Sequence, residues 1–231
     1  MGGHKRSRSE KQEEIEDHPF FISYPKSSSQ ARKKQPKTKA LRDDERTKFQ
    51  DFPISNTSNL GLLYIVEPGT TWQDMTSYKS FVLGGFKYKR DDFVFVANER
   101  TVKRRALPDR KSEPEDEGDG EEWIAHILEV RASDVNHVYA RVHWMYRSYE
   151  LPPGISSLQP YNGKKELIFS NHMDIIDVLS VTGPAEVQQV MDVEEETQDV
   201  YFWRQAYDWR SRQLSLVERI QPTPSEHSPN Q

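Results

Sequence analysis

Four histidines fall in the apolar, strand-like part of the chain: His126, His137, His143 and His172. The last is followed at close spacing by Asp174 and Asp177. A His-x-Asp pair can ligate a metal or move a proton. The motifs that accompany such chemistry are absent. There is no GxSxG elbow, no HExxH, no phosphate loop and no dinucleotide fingerprint, and Gly84-Gly85 is too isolated to cradle a phosphate. The chain also has no cysteine, which removes disulfides, Cys-ligated zinc, iron–sulfur clusters and thiol catalysis together. The expectation is a protein that is not an enzyme and carries no cofactor or metal.

The aromatic residues offer a different chemistry. Trp144 and Tyr146 are two apart in a run of alternating residues, so on a strand they project from one face. Trp123 opens the preceding strand-like run, and a hairpin would bring it near that pair. Three rings converging at a strand end can form a box whose negative faces attract a quaternary ammonium by roughly 0.5–2 kcal/mol per contact. Glu150, four residues past Tyr146, can add a carboxylate at the rim. The alternative is an aromatic core, because Val138, Ala140 and Val142 share the face of Trp144. On composition and periodicity alone, core is the better reading.

The elements that must position these residues read as short strands. They are Leu60 to Val66, Asp92 to Ala97, Trp123 to Arg131, His137 to Arg147, Glu166 to Phe169, Ile175 to Val181, Ala185 to Val190 and Val200 to Trp203. Ser133 to His137 is turn chemistry, so 123–147 is a hairpin. Arg204 to Leu214 is expected to be a short helical or extended closing segment. Many short strands between turns predict an antiparallel barrel or sandwich.

Composition sets the limits of the folded part. Hydrophobic residues make up 34% of the chain and charged residues 30%, so part of it cannot bury enough apolar surface to fold. Residues 1–48 hold thirteen Lys or Arg against eight Asp or Glu, in Ser- and Gln-rich surroundings. Residues 1–53 are therefore expected to be a disordered basic tail, with a nuclear localisation signal among its basic runs. A domain is expected over 54–218, with a charged loop insertion at 98–122 and a Pro- and Ser-rich disordered tail at 219–231. No stretch approaches about 18 consecutive apolar residues, and Met1 to Asp17 has no apolar run, so neither a membrane span nor a secretory signal is expected. The net charge of −5 combines this basic tail with a clearly acidic remainder, which makes the domain a poor general binder of nucleic acid and a suitable partner for a basic peptide.

Several segments, in order, resemble the BAH (bromo-adjacent homology) family. Arg141-Val-His-Trp-Met-Tyr-Arg147, with Glu150-Leu-Pro152 after it, is similar to the family's RVxWFYRPEET strand. Trp123-Ile-Ala-His-Ile127 is similar to its YVARI strand, and Asp91 to Val96 to its opening GDxVxV strand. Glu166 to Asp174 (ELIFSNHMD) is similar to ELFLSxHxD, and Tyr201 to Asp208 (YFWRQAYD) to the closing YYxRxxYD. The match covers roughly residues 75–215, and its wording is nearest to fungal BAH proteins, many of which carry a PHD zinc finger. Without cysteine this chain holds no such finger, so the expectation is a finger-less member or a piece of a longer protein.

The resemblance implies an all-β fold with short helical pieces, a distorted β-barrel with long loops and disordered tails. It implies a nuclear chromatin reader of a trimethylated lysine, first choice lysine 27 of histone H3, in Polycomb-type repression and facultative heterochromatin. The cage positions correspond to Trp123, Trp144 and Tyr146, and the peptide-binding positions to Glu150, His172 and Asp174. The first cage position is usually Tyr, so Trp123 widens the box. Implied partners are the methylated H3 tail on the nucleosome and a chromatin-repressor complex, with DNA contact secondary and no membrane. Three alternatives stay open. One is another mark, such as methylated lysine 20 of histone H4, with a cage drawn from other segments for which Tyr161 is a candidate. Another is an interaction module without a working cage. The last is binding of nucleosomal DNA or of the nucleosome's acidic surface through Arg100 to Arg110 and the basic tail.

Overall fold

The structure, a computed structural model, describes residues 19–24, 47–50, 62–99, 101–102, 122–155, 163–190 and 200–216. It is built on two long strands, β8 (Trp123–Asp134) and β9 (His137–Arg147), which form the expected hairpin. Asp134 turns the chain between them by accepting the Asn136 N–H at 2.8 Å. β9 pairs on its other side with a third long strand, β10 (Glu166–Asp177). The flank of β8 carries β7 (Phe93–Val96) and then β11 (Val181–Ala185). The flank of β10 carries β13 (Tyr201–Asp208) and then β12 (Val187–Gln189). β4 (Thr76–Tyr78) adds to β8, and β14 (Gln213–Leu216) to β13. The fold is all-β, and among the described residues this sheet runs from β11 to β12 without closing into a ring.

Alternation explains why the hairpin is buried on both faces. Ala125, Ile127, Ala140, Val142, Trp144 and Tyr146 project into one core. Ile124, Met145 and Phe169 project the other way into a second core, beside a third that holds Leu128, Tyr139 and Ile175. Gly84 and Gly85, both with positive φ, make the two-residue turn of a separate hairpin of β5 (Ser80–Leu83) and β6 (Phe86–Lys89).

Three departures from the sequence expectation bear on the site. First, Phe20 to Tyr24, expected within the basic tail, belong to the folded body. β1 (Phe21–Ser23) pairs antiparallel with β3 (Leu62–Glu67), and Phe20 is buried edge-on against Trp72 and Tyr139 at 5.2 Å each. The apolar run FFISY carries enough burial to order this stretch inside a charged surrounding. β2 (Thr47–Gln50) pairs with the other edge of β3. Second, Glu166 to Asp177 is one strand with a bulge, where two shorter runs were expected. Phe169 faces Met145 and Met173 faces His143, so Ser170, Asn171 and His172 oppose Trp144 alone. Third, β13 runs parallel to both β10 and β12, in a sheet expected to be antiparallel. A parallel neighbour needs a crossover connection. The chain supplies it by leaving β10 for β11 at one sheet edge and returning through β12 at the other. Arg204 to Leu214 is accordingly extended, a strand end, a turn and the start of β14.

The basic runs at 5–8 and 32–39, residues 219–231, Tyr161 and most of 98–122 lie outside the described residues. The first turn of that loop is ordered by a reciprocal pair. Asn98 N–H donates to Thr101 Oγ1 at 2.9 Å and Thr101 N–H to Asn98 Oδ1 at 3.0 Å.

Candidate functional site

Trp144 and Tyr146, singled out above, belong to one core cluster, and Trp123 packs against it. Trp123 and Trp144 pack edge to face, with ring centroids 5.5 Å apart and an interplanar angle of 72°. The Trp144 indole N–H donates to Asp174 Oδ2 at 3.2 Å, across the β9–β10 pair. The Tyr146 hydroxyl and His172 Nδ1 share a hydrogen bond of 2.6 Å, with the rings roughly parallel at 6.1 Å. Four residues from two strands therefore form two bonded pairs, Trp144–Asp174 and Tyr146–His172.

The bulge produces this arrangement. Three residues against one push His172 off the regular pleat, and a bulge re-aims side chains in this way. Ser170 holds the distortion: its hydroxyl donates to the Trp144 carbonyl at 2.6 Å, while its oxygen accepts the His172 N–H at 3.2 Å. Asn171 fastens the next layer by donating to Asp208 Oδ1 at 3.1 Å and accepting the Trp209 N–H at 3.1 Å.

Burial divides the set. Trp144 is 0% exposed and Tyr146 6%, and both belong to the core. Trp123 is half-buried at the edge of that cluster. His172 is 8% exposed, and Asp174 is half-buried. Glu150 acts on the backbone: its carboxylate accepts the Arg147 N–H at 2.7 Å and closes the short 3-10 turn over Ser148–Glu150.

Two ring contributors were not anticipated. Trp209 lies on His172 at 4.6 Å, and Tyr24 lies on Trp209 at 5.3 Å. The Arg210 guanidinium sits 5.3 Å over the Tyr24 ring, a cation already attracted to this aromatic surface. Burial pushes the Tyr24 phenol well above its ordinary range, with the nearby Asp174 adding in the same direction. Trp209 directly follows the YFWRQAYD segment and so carried a signal. Tyr24 carried none beyond the apolar character of FFISY.

The remaining histidines do not gather for chemistry. His126 and His143 stack at 6.4 Å on the opposite face of the hairpin, against Phe169. Burial pushes His126 down to about 4 and His143 well down, so both rest neutral. His137 lies at the hairpin turn against Asp134. Among the described residues, no group of three or more metal-ligating side chains comes together.

Removing the Tyr146 hydroxyl tests the bonded pair. Tyr146→Phe leaves His172 Nδ1 without this partner in a buried place, so a loss of about 1–2 kcal/mol is expected in urea unfolding. No measurable change would show that the pair does not constrain the cluster.

No protein-family model matches the chain, and no curated protein does. Among solved structures it is similar to the crystal structure of the yeast Rsc2 BAH domain, at 10% identity and a TM-score of 0.44. The match covers 62% of this chain and 55% of that one, about half its length. It carries no residue assignment across.

Proposed function

We propose that this chain is a BAH-type chromatin module that reads a trimethylated lysine of a histone tail in the nucleus, first choice lysine 27 of histone H3, in transcriptional repression. The observation that supports it most is the coupling of Trp144 to Asp174 and of Tyr146 to His172. The family resemblance assigns all four residues to methyl-lysine or peptide contact. A trimethylammonium is bulky and weakly hydrated, so it gains from ring faces and a nearby carboxylate, whereas plain lysine loses more hydration. In this reading Trp123, half-buried, is the ring that meets the ligand, Trp144 and Tyr146 set its position, and His172 and Asp174 meet the flanking peptide. The reader spans 54–218 together with the Phe20 to Tyr24 segment and β2.

One observation favours a second reading. Trp144 is fully enclosed, which suits a structural interaction module without a working cage. Polarisation titrations of the full chain with fluorescent peptides separate the two. The panel holds H3 peptides around lysines 4, 9 and 27 and H4 around lysine 20, each unmodified and trimethylated. Trp123→Ala, at a half-buried position, is expected to keep the fold and to weaken the lysine-27 trimethyl complex at least about tenfold, or roughly 1.4 kcal/mol. Methyl-independent binding, or none, would leave the interaction module. Methyl-dependent binding of a different peptide would keep the reader and change the mark.

A further inference from the structure

On the other side of the sheet, a cleft of about 560 Å³ opens between β3, β4, the β8–β9 hairpin and α1 (Gly69–Asp74). It is separate from the aromatic cluster, because Arg141 in its lining and Trp144 in the cluster project from opposite faces of β9. The volume lies within the range of small-molecule sites, ~300–1,000 Å³.

Its charge contrasts with that of the molecule. The whole chain carries −5, yet the charged residues lining this cleft are Lys79, Arg90, Arg131 and Arg141 against the single carboxylate of Glu129. That is a formal excess of three positive charges. Glu129 is shared, accepting from Arg131 Nε at 2.6 Å and from Arg141 Nε at 3.1 Å. The two guanidiniums are locked in place by further contacts. Arg131 donates to the carbonyls of Trp72, Gln73 and Met75 at the end of α1, and Arg141 stacks on Tyr64 at 5.1 Å. At the mouth, Lys79 is exposed, and Arg90 lies 3.8 Å from the exposed Asp91. Such an exposed pair is worth little and is readily exchanged for a better anion.

Fixed guanidiniums inside and exposed cations at the rim suit a compact multivalent anion, since Arg forks match phosphate oxygens. The volume of the cleft matches a small molecule rather than an extended chain of phosphates. We infer that the cleft binds a phosphorylated small molecule, with its phosphate groups held by Lys79 and Arg90 against the Arg131–Glu129–Arg141 cluster. The half-exposed Tyr78 ring and the Ser77 hydroxyl beside the mouth offer a stacking face and a donor to the rest of the ligand.

Calorimetric titration of the full chain with inorganic pyrophosphate, ADP and adenosine tests this. Pyrophosphate and ADP are expected to bind and adenosine not to. Equal affinities identify phosphate alone as the determinant, whereas tighter ADP identifies a nucleotide. The double variant Lys79→Glu/Arg90→Glu, at two exposed positions, is expected to keep the parent melting temperature and to weaken both at least about tenfold. The inference is overturned if neither phosphate compound binds, if adenosine binds as well as ADP, or if the folded double variant binds undiminished.

Discussion

Trp144→Ala is expected to cost about 3–5 kcal/mol of folding stability, the range for a large aromatic removed from a core. For a domain of this size that lowers the melting temperature by on the order of 10 °C. Among the described residues Trp144 heads the fully buried side chains, its ring meets Trp123, its carbonyl binds Ser170 in the bulge, and its indole N–H binds Asp174 just past it. The alanine variant opens a cavity and leaves Asp174 without the indole. Urea unfolding followed by fluorescence of the other tryptophans measures the loss, and a cost below about 1 kcal/mol would show that the ring is not a packing centre. Loss of peptide binding in Trp144→Ala therefore cannot separate cage from core, since both roles predict it. Trp144→Phe can. It keeps a ring in place while removing the bond to Asp174. A folded Phe variant that no longer binds peptide assigns the indole to recognition, and one that binds normally assigns it to the core.

What was legible in the chain follows the range of the interactions involved. The face of β9 that holds Val142, Trp144 and Tyr146 could be read from period-two alternation, and the turn at Asp134 to His137 from side chains that bond their own backbone. Both depend on neighbours in sequence. The parallel pairing of β10 with β13 was not legible, because strands more than twenty residues apart leave no mark of register in either one. The bulge at Ser170 to His172 was hidden for a related reason. A run such as IFSNHM looks like two weak strands until the partner strand, one residue long at that point, is known. The grouping of Trp144 with Asp174 and of Tyr146 with His172 depends on that bulge, so only the family resemblance suggested it. Phe20 to Tyr24 was masked by the charge of the segments around it. The cleft cations were also invisible as a group, since Arg131 and Arg141 meet only when two strands pair through Glu129.

Acid is expected to unfold this protein earlier than its charge alone predicts, and the buried histidine pair is the cause. His126 is pushed down to about 4, first by burial. It packs on Phe93 at 4.8 Å and Phe169 at 5.5 Å. Asp91, 3.6 Å away, and Asp92 pull it back up, and Arg90 opposes them. His143 is displaced in the same direction by burial and then by His126, Arg141 and His172. An unfolded imidazole takes up its proton near pH 6.5, and the folded one only near 4. The neutral folded state therefore has its full advantage above about pH 6.5 and loses it as the pH falls towards 4. His126 alone accounts for roughly 2 kcal/mol lost by about pH 5, and His143 adds to it. His126→Phe isolates the effect, because the carboxylates titrate alike in both proteins. The comparison is the change in unfolding free energy between about pH 7 and about pH 5 within each protein, so a shift in basal stability does not enter. The variant is expected to lose about 2 kcal/mol less than the parent over that interval. Equal losses would mean that His126 takes up a proton as readily in the folded state as in the unfolded one. The Phe93–His126–Phe169 layer would then have to admit water to an imidazolium.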